Sequence, residues 1–259
     1  MNLSRTRTRL LERLQRRKTR TRERAYVAEG VRCVTEVIGG GADIKFAVVS
    51  PRLNEIPGGD ELLARLRDAG IDTPLVDDRT LTAIAGTETP QGILAVCAEP
   101  TVQLDRPERV LIADAIQDPG NFGTLIRSAT AFALDAVVAL DGTVDPYNAK
   151  VVRASAGTIA RIPVLATSWA ELEPQLASWN SALLVAAGEA MGAPAPMTAP
   201  WALVVGNEAR GARGAIRNAA TAWVAIPMPG RIDSLNAGIA GSILMYALTQ
   251  PTKEQDSGS

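Results

Sequence analysis

Val110-Leu111-Ile112-Ala113, followed shortly by Asp118-Pro119-Gly120-Asn121-Phe122-Gly123 running to Arg127, reads as a short apolar strand that opens into a ligand-type loop and restarts as a helix. The same pattern occurs twice more. Trp201-Ala202-Leu203-Val204-Val205 precedes Gly206-Asn207-Glu208-Ala209-Arg210-Gly211, and Trp223-Val224-Ala225-Ile226 precedes Pro227-Met228-Pro229-Gly230 running to Ser234-Leu235-Asn236. Each apolar run is largely unalternated, as in strands buried on both faces of a parallel sheet. Helical spacing follows the first loop at Leu125, Ile126, Ala129 and Phe132, and the third at Leu235, Ile239, Ile243, Leu244 and Ala247. Strand alternating with helix predicts a mostly parallel α/β sheet. Ligands bind such sheets outside the carboxyl ends of the strands, so the three loops are expected to converge on one cleft.

Each loop also has a plain reading. Asp-Pro-Gly-Asn favours turns residue by residue. Gly206 and Gly211 suit a strand end and a helix start, Ser234 to Asn236 suits an N-cap, and a helical arginine such as Arg127 is ordinarily solvated. The coincidence of all three at strand ends favours a site.

The first half reads as a smaller α/β unit with strands near Ile44 to Val49 and Ile93 to Cys97. A chain of 259 residues accommodates two modest domains. The seam falls between Ala98 and Pro107, where Glu99-Pro100 and Arg106-Pro107 bracket a polar stretch. The expected division is residues 1–98, a linker over 99–107, a second domain over 108–250, and a polar tail over 251–259 expected to be disordered. No run approaches the ~20 apolar residues that span a bilayer, and the basic start lacks the apolar core of a signal peptide. A soluble, cytoplasmic protein without a membrane partner is expected.

The chain contains no histidine and only Cys33 and Cys97. Ser-His-Asp and Cys-His nucleophilic schemes are therefore excluded, no metal is expected, and the cysteines read as small buried hydrophobes in a helix and a strand. No Gly-x-Gly-x-x-Gly follows a strand and no Gly-x-x-x-x-Gly-Lys occurs, which counts against dinucleotide and P-loop enzymes.

The formal net charge of −1 conceals a strong asymmetry. Residues 1–24 carry ten basic groups against Glu12 and Glu23, a net of +8, which leaves −9 on the remainder. A run of like charge is often only solvated. An arginine-rich helix on an acidic body is also a handle for phosphates, giving affinity without sequence choice. Leu3, Leu10, Leu11 and Leu14 would pack one stripe of that helix while Arg5, Arg7, Arg9, Arg13, Arg16, Arg17, Lys18 and Arg20 face outward, with nucleic acid as the natural partner.

Four segments together carry a family likeness: Asp118 to Ala131; Asp145-Pro146-Tyr147-Asn148 to Arg153-Ala154-Ser155-Ala156-Gly157; the Gly-x-Glu-x-x-Gly around Glu208; and Ile226-Pro227-Met228 leading to Ser234-Leu235-Asn236. In order and spacing, from roughly residue 107 to 250, they resemble the SpoU-type (TrmH-type) RNA ribose 2′-O-methyltransferases of the SPOUT superfamily. Residues 25–38 and Glu88-Thr89-Pro90-Gln91-Gly92-Ile93 resemble the L30e-like substrate-binding domain that precedes the catalytic domain in many of these enzymes. One departure is Ala133, where the family often has glycine.

The resemblance implies a deep trefoil knot and S-adenosyl-L-methionine held at Gly206, Ile226 and Leu235, with Met228 and Ala187 as further candidates. It implies a catalytic Arg127 that assists deprotonation of the 2′-hydroxyl. A guanidinium stays protonated, so stabilising the forming alkoxide and anchoring a phosphate is the physically safer role. Asn121 is expected to orient Arg127 or the ribose, Glu208 to fix a nearby amide or arginine, and Ser234 and Asn236 to complete the polar lining. The resemblance also implies a homodimer and an RNA substrate, 23S ribosomal RNA ahead of transfer RNA. A non-catalytic RNA-binding or ribosome-assembly protein on the same fold is the alternative, and a metabolic α/β enzyme would leave the basic segment unexplained.

Overall fold

The computed structural model describes residues 3–187, 194–230 and 234–251, so most of the tail expected to be disordered lies outside the described residues. In chain order the first half comprises α1 (Arg5–Leu14), α2 (Arg17–Glu23), β1 (Ala25–Glu29), α3 (Val31–Gly39), β2 (Ile44–Val49), α4 (Gly59–Asp68), α5 (Asp78–Ile84) and β3 (Ile93–Ala98). The second half continues with β4 (Arg109–Asp114), α6 (Pro119–Ala131), β5 (Ala136–Leu140), α7 (Ala149–Ala154), β6 (Val164–Thr167) and α8 (Trp169–Ser178). It ends with β7 (Ala182–Ala186), β8 (Trp201–Gly206), α9 (Gly214–Ala219), β9 (Ala222–Val224) and α10 (Ala237–Thr249). Two compact units result: Met1–Val102 with Asp145–Arg161, and Gln103–Val144 with Ile162–Ser259.

The first unit contains an antiparallel sheet in the order β1-β3-β2. β2 and β3 lie where their apolar runs predict them. β1 is an additional strand, buried along its length, whose Ala25 and Ala28 dilute the β-branched signal. Ser4 caps α1 by accepting from Arg7 N at 3.3 Å. Leu11 and Leu14 of α1 are fully buried beside Val27, Phe46, Val48 and Leu94, and Leu3 and Leu10 pack on the same cluster. The basic segment is thus part of this unit's core on its apolar side. Burial pushes the Cys33 and Cys97 thiols up to about 12, so both stay neutral at ordinary pH.

Asp145–Arg161, expected within 108–250, groups with the first unit. Arg20 Nε donates to Asp145 at 2.8 Å, Arg153 to Glu29 at 3.0 Å, and the Tyr26 and Tyr147 rings stand 4.9 Å apart. Gly157 has φ +86°, and a Cβ there would lie 2.4 Å from the Cys33 carbonyl oxygen, so glycine is required. These contacts correct one expectation. Arg20 is only 4% exposed, and its guanidinium is taken up by Asp145 and by the Leu14 and Gln15 carbonyls, which removes it from the groups facing solvent. Arg7 likewise pairs with Asp72 and lies 4.5 Å over the Phe46 ring. Arg5, Arg9, Arg13, Arg16, Arg17 and Lys18 are exposed.

The second unit is a six-stranded parallel sheet in the order β6-β5-β4-β8-β7-β9. β4 and β8 are central and apolar on both faces, with Val110, Leu111, Ile112, Ala202, Leu203 and Val204 fully buried. Their register pairs Asp114 with Gly206, so the two strands finish side by side and both following loops leave from one end. The third expected strand is shorter and sits at the sheet's edge: β9 stops at Val224, and Ile226 belongs to the loop.

Asp118 starts α6 by accepting from Asn121 N at 2.8 Å with Pro119 at the first helical position, so Asp-Pro-Gly-Asn is a helix start. α10 packs on α6 through glycine. A Cβ at Gly241 would lie 2.3 Å from Leu125 Cδ2, and one at Gly238 would lie 3.3 Å from the Asn121 carbonyl oxygen. The apolar stripe expected on α10 is therefore displaced. Gly238, Gly241, Leu244, Met245 and Leu248 are buried, whereas Ile239 and Ile243 face outward because close backbone approach replaces large side chains at the contact. No described helix is long and apolar enough to cross a membrane.

α6 ends in a Schellman arrangement, with Leu134 N donating to Ala129 O at 2.9 Å and Ala133 N to Thr130 O at 3.2 Å. Ala133 takes the left-handed position of that motif at φ +53°, which glycine occupies without a Cβ penalty. Ala133→Gly is expected to stabilise the protein by about 1 kcal/mol, raising Tm by roughly 2–4 °C. A lower melting temperature for the variant in a thermal scan would contradict this account of the turn.

Candidate active site

The ends of β7 and β8, the loop after β9 and the start of α10 enclose a cleft of about 220 Å³. All five residues expected to hold a cofactor, Gly206, Ile226, Leu235, Met228 and Ala187, line it, together with Glu208 and Ser234. Ile226, Met228, Leu235 and Leu244 give apolar walls, small residues such as Ala186, Ala187 and Gly211 leave room, and Asn207, Glu208 and Ser234 supply polar groups. A mostly apolar concavity with a few placed polar groups is the ordinary form of a small-molecule site.

Asn121 links three loops. Its Nδ2 donates to Glu208 Oε1 at 2.7 Å, and its Oδ1 accepts from Asn236 Nδ2 at 2.7 Å. Asn236 also caps α10 by accepting from Ile239 N at 3.2 Å, so one side chain serves both the network and the helix start. Asn121 makes no hydrogen bond to Arg127, contrary to one option raised by the sequence. Six residues along a helix place two side chains roughly 120° apart around its axis, which separates them. Arg127 is exposed on α6 and forms no ion pair with any described residue.

Three residues not singled out from the sequence shape the cleft. Asp114, with no solvent exposure, accepts from Arg213 N at 2.7 Å and from Arg213 Nε at 2.6 Å. Asn207 Nδ2 donates to the Ala115 carbonyl at 3.0 Å, and its Oδ1 accepts from Ala209 N at 3.0 Å and Arg210 N at 3.3 Å. The only sequence signal for Asp114 was an acid closing an apolar strand, and its partner lies 99 residues away. Gly206 was expected at a strand end and among the residues that hold the cofactor. Here it permits close approach of its own loop, since a Cβ would lie 2.2 Å from Ala212 N. Among the described residues no group of three or more acidic or cysteine side chains is placed to hold a metal ion.

Asp114→Ala removes a buried acceptor of two charge-assisted or backbone bonds and frees the loop it holds. The expected cost is about 2–4 kcal/mol. A denaturant midpoint unchanged from wild type would show that the loop does not depend on this carboxylate.

Known proteins resemble this chain in sequence and fold. Residues 108–246 match the SpoU rRNA Methylase family, and residues 6–95 match the MRM3-like substrate binding domain. The 23S rRNA (guanosine(2553)-2'-O)-methyltransferase RlmP of Bacillus subtilis (strain 168) is 34% identical over 242 residues, covering 92% of this chain and 93% of that protein. A 23S rRNA (uridine(2479)-2'-O)-methyltransferase of Streptomyces viridochromogenes is 28% identical, covering 89% and 84%. Among solved structures, an RNA 2'-O ribose methyltransferase superposes with a TM-score of 0.79 at 29% identity, covering 94% of this chain and 95% of that one. The SpoU methyltransferase AviRb of Streptomyces viridochromogenes, solved with the cofactor AdoMet, gives a TM-score of 0.81 at 26% identity, covering 94% and 97%.

Proposed function

Because the chain belongs to the SpoU rRNA methylase family, we propose that it methylates a ribose 2′-hydroxyl of RNA from S-adenosyl-L-methionine, in the cytoplasm, with 23S ribosomal RNA as the substrate ahead of transfer RNA. The observation that carries this reading is the cleft in which all five cofactor candidates meet beside the Glu208–Asn121–Asn236 chain. The trefoil knot implied for the end of the chain belongs to the same reading.

When bound, the cofactor supplies a methyl group already activated by a positive sulfur, so the protein must chiefly position two reactants and ease loss of a proton from a weakly acidic alcohol. Ile226, Leu235 and Met228 offer faces for an adenine ring, and Gly206 and Ala187 line the same cleft. Glu208 and Asn236, each held by Asn121, keep the second and third loops in register. Arg127 is the cation assigned to the developing alkoxide and a neighbouring phosphate, and its lack of an ion pair with any described residue leaves it available. The exposed Arg5, Arg9, Arg13, Arg16, Arg17 and Lys18 supply sequence-independent contacts to the RNA backbone.

The test is transfer of labelled methyl from S-adenosylmethionine to ribosomal and transfer RNA fractions. Arg127→Ala is expected to reduce transfer by on the order of 10²-fold while cofactor affinity is kept. Glutamine at Arg9, Arg13, Arg16 and Arg17 together is expected to raise KM for RNA and spare kcat. Near-normal turnover by Arg127→Ala would remove it from the catalytic machinery. Cofactor binding without transfer to any fraction would favour the non-catalytic assembly protein, and label confined to transfer RNA would change the substrate class.

A second copy of the chain is proposed as a partner. Ile239, Ile243 and Tyr246 are 51%, 39% and 54% exposed and share one stripe of α10, with the Tyr246 ring 5.7 Å from Phe132. Large apolar side chains aligned in this way mark an interaction surface. Light scattering is expected to give twice the chain mass, reduced to one chain by Ile243→Asp; a single-chain mass for the wild type would count against the dimer.

A further inference from the structure

RNA carries a negative charge at each phosphate, and residues 25–259 carry a net −9, so cations near the cleft are the groups able to offset the repulsion on an approaching strand. The loop after β8 bears two arginines. Arg213 is committed to Asp114 through both its backbone N and its Nε. Arg210 is exposed and forms no side-chain hydrogen bond or ion pair with any described residue. It lies between Glu208 and Gly211, both of which line the cleft. Glu208, two residues away, is held by Asn121 at 2.7 Å.

The loop that presents Arg210 is fixed at both ends. Asn207 Oδ1 accepts from the backbone N of Ala209 and of Arg210 itself, Asn207 Nδ2 donates to Ala115 O, and Gly211 N donates to Asn207 O at 2.8 Å. A cation on a preorganised loop loses less conformational freedom on binding than one on a mobile segment. Its planar fork matches two phosphate oxygens.

We infer that Arg210 binds an RNA phosphate beside the ribose to be methylated, as a substrate-binding residue distinct from Arg127; this rests on the function proposed above. It adds to the second loop a task that the cofactor does not need. Affinity for RNA and affinity for S-adenosylmethionine are then separable by one substitution.

Full-length wild type, Arg210→Ala and Arg210→Lys are to be titrated with protein-free 23S ribosomal RNA between about 50 and 200 mM salt, and with S-adenosylmethionine alone by calorimetry. Arg210→Ala is expected to bind RNA about tenfold more weakly, with the slope of log affinity against log salt smaller by about 1 and cofactor affinity within about twofold of wild type. Arg210→Lys keeps the charge without the fork, so it is expected to retain the slope and lose only part of the affinity. Unchanged RNA affinity and slope in Arg210→Ala overturn the inference, and so does a loss of cofactor affinity, which would make Arg210 part of the cofactor loop. A wild type that binds RNA but no cofactor defeats the methyl-transfer reading and leaves the slopes to decide Arg210; one that binds no RNA defeats both.

Discussion

A carboxylate sealed from water, Asp114 at the end of β4, is the constraint on which the site depends. An isolated buried charge is expensive, and Asp114 is compensated by two bonds from Arg213 at the far end of the loop after β8. That loop therefore has little choice of position. Asn207 adds a bond to Ala115, the residue directly after Asp114, and Gly206 lets the loop close on its own backbone. With the second loop fixed, Asn121 can reach Glu208 on one side and Asn236 on the other. Three segments distant in sequence thus share one polar chain beside an apolar cleft.

The first unit handles charge differently. Ten basic residues in its opening segment would repel one another if all faced solvent. Two are instead held by neighbours: buried Arg20 satisfies two carbonyls and Asp145, and half-buried Arg7 spans Asp72 and the Phe46 ring. Leu11 and Leu14 fix α1, which carries Arg5, Arg9 and Arg13, while Arg16, Arg17 and Lys18 stand at the start of α2. The exposed cations are consequently displayed on a structured surface, and the stripe of leucines and the stripe of arginines are two sides of the same helix.

Much of the second unit was legible because its signals are local. Apolar runs at 110–113 and 201–205 mark strands buried on both faces, and Asp118-Pro119 marks a helix start by cap and ring geometry. The cofactor candidates were reached through family likeness, since Ile226 and Leu235 alone read as ordinary core. What could not be read depends on partners far along the chain. Nothing near Arg20 announces Asp145, and nothing near Asp114 announces Arg213. Which face α10 buries could not be read, because hydrophobic spacing ranks isoleucine above glycine, while the α6–α10 contact selects residues without side chains. β9 stopped early because an edge strand has one neighbour to hold it.

The strand order has a consequence for synthesis. The partner of β4 on one edge, β5, follows it closely in sequence, but the other edge of β4 waits for β8, where Arg109 meets Trp201. Until β8 emerges from the ribosome, β4 presents an apolar edge of unpaired amides and carbonyls, the kind of surface that recruits other chains. Parallel pairing at such sequence separation is also slow, because a long loop must close before the contact rewards it. The nascent chain is therefore exposed to aggregation in the interval between these two strands, and the cleft comes into existence only after β8, β9 and the start of α10 have been made.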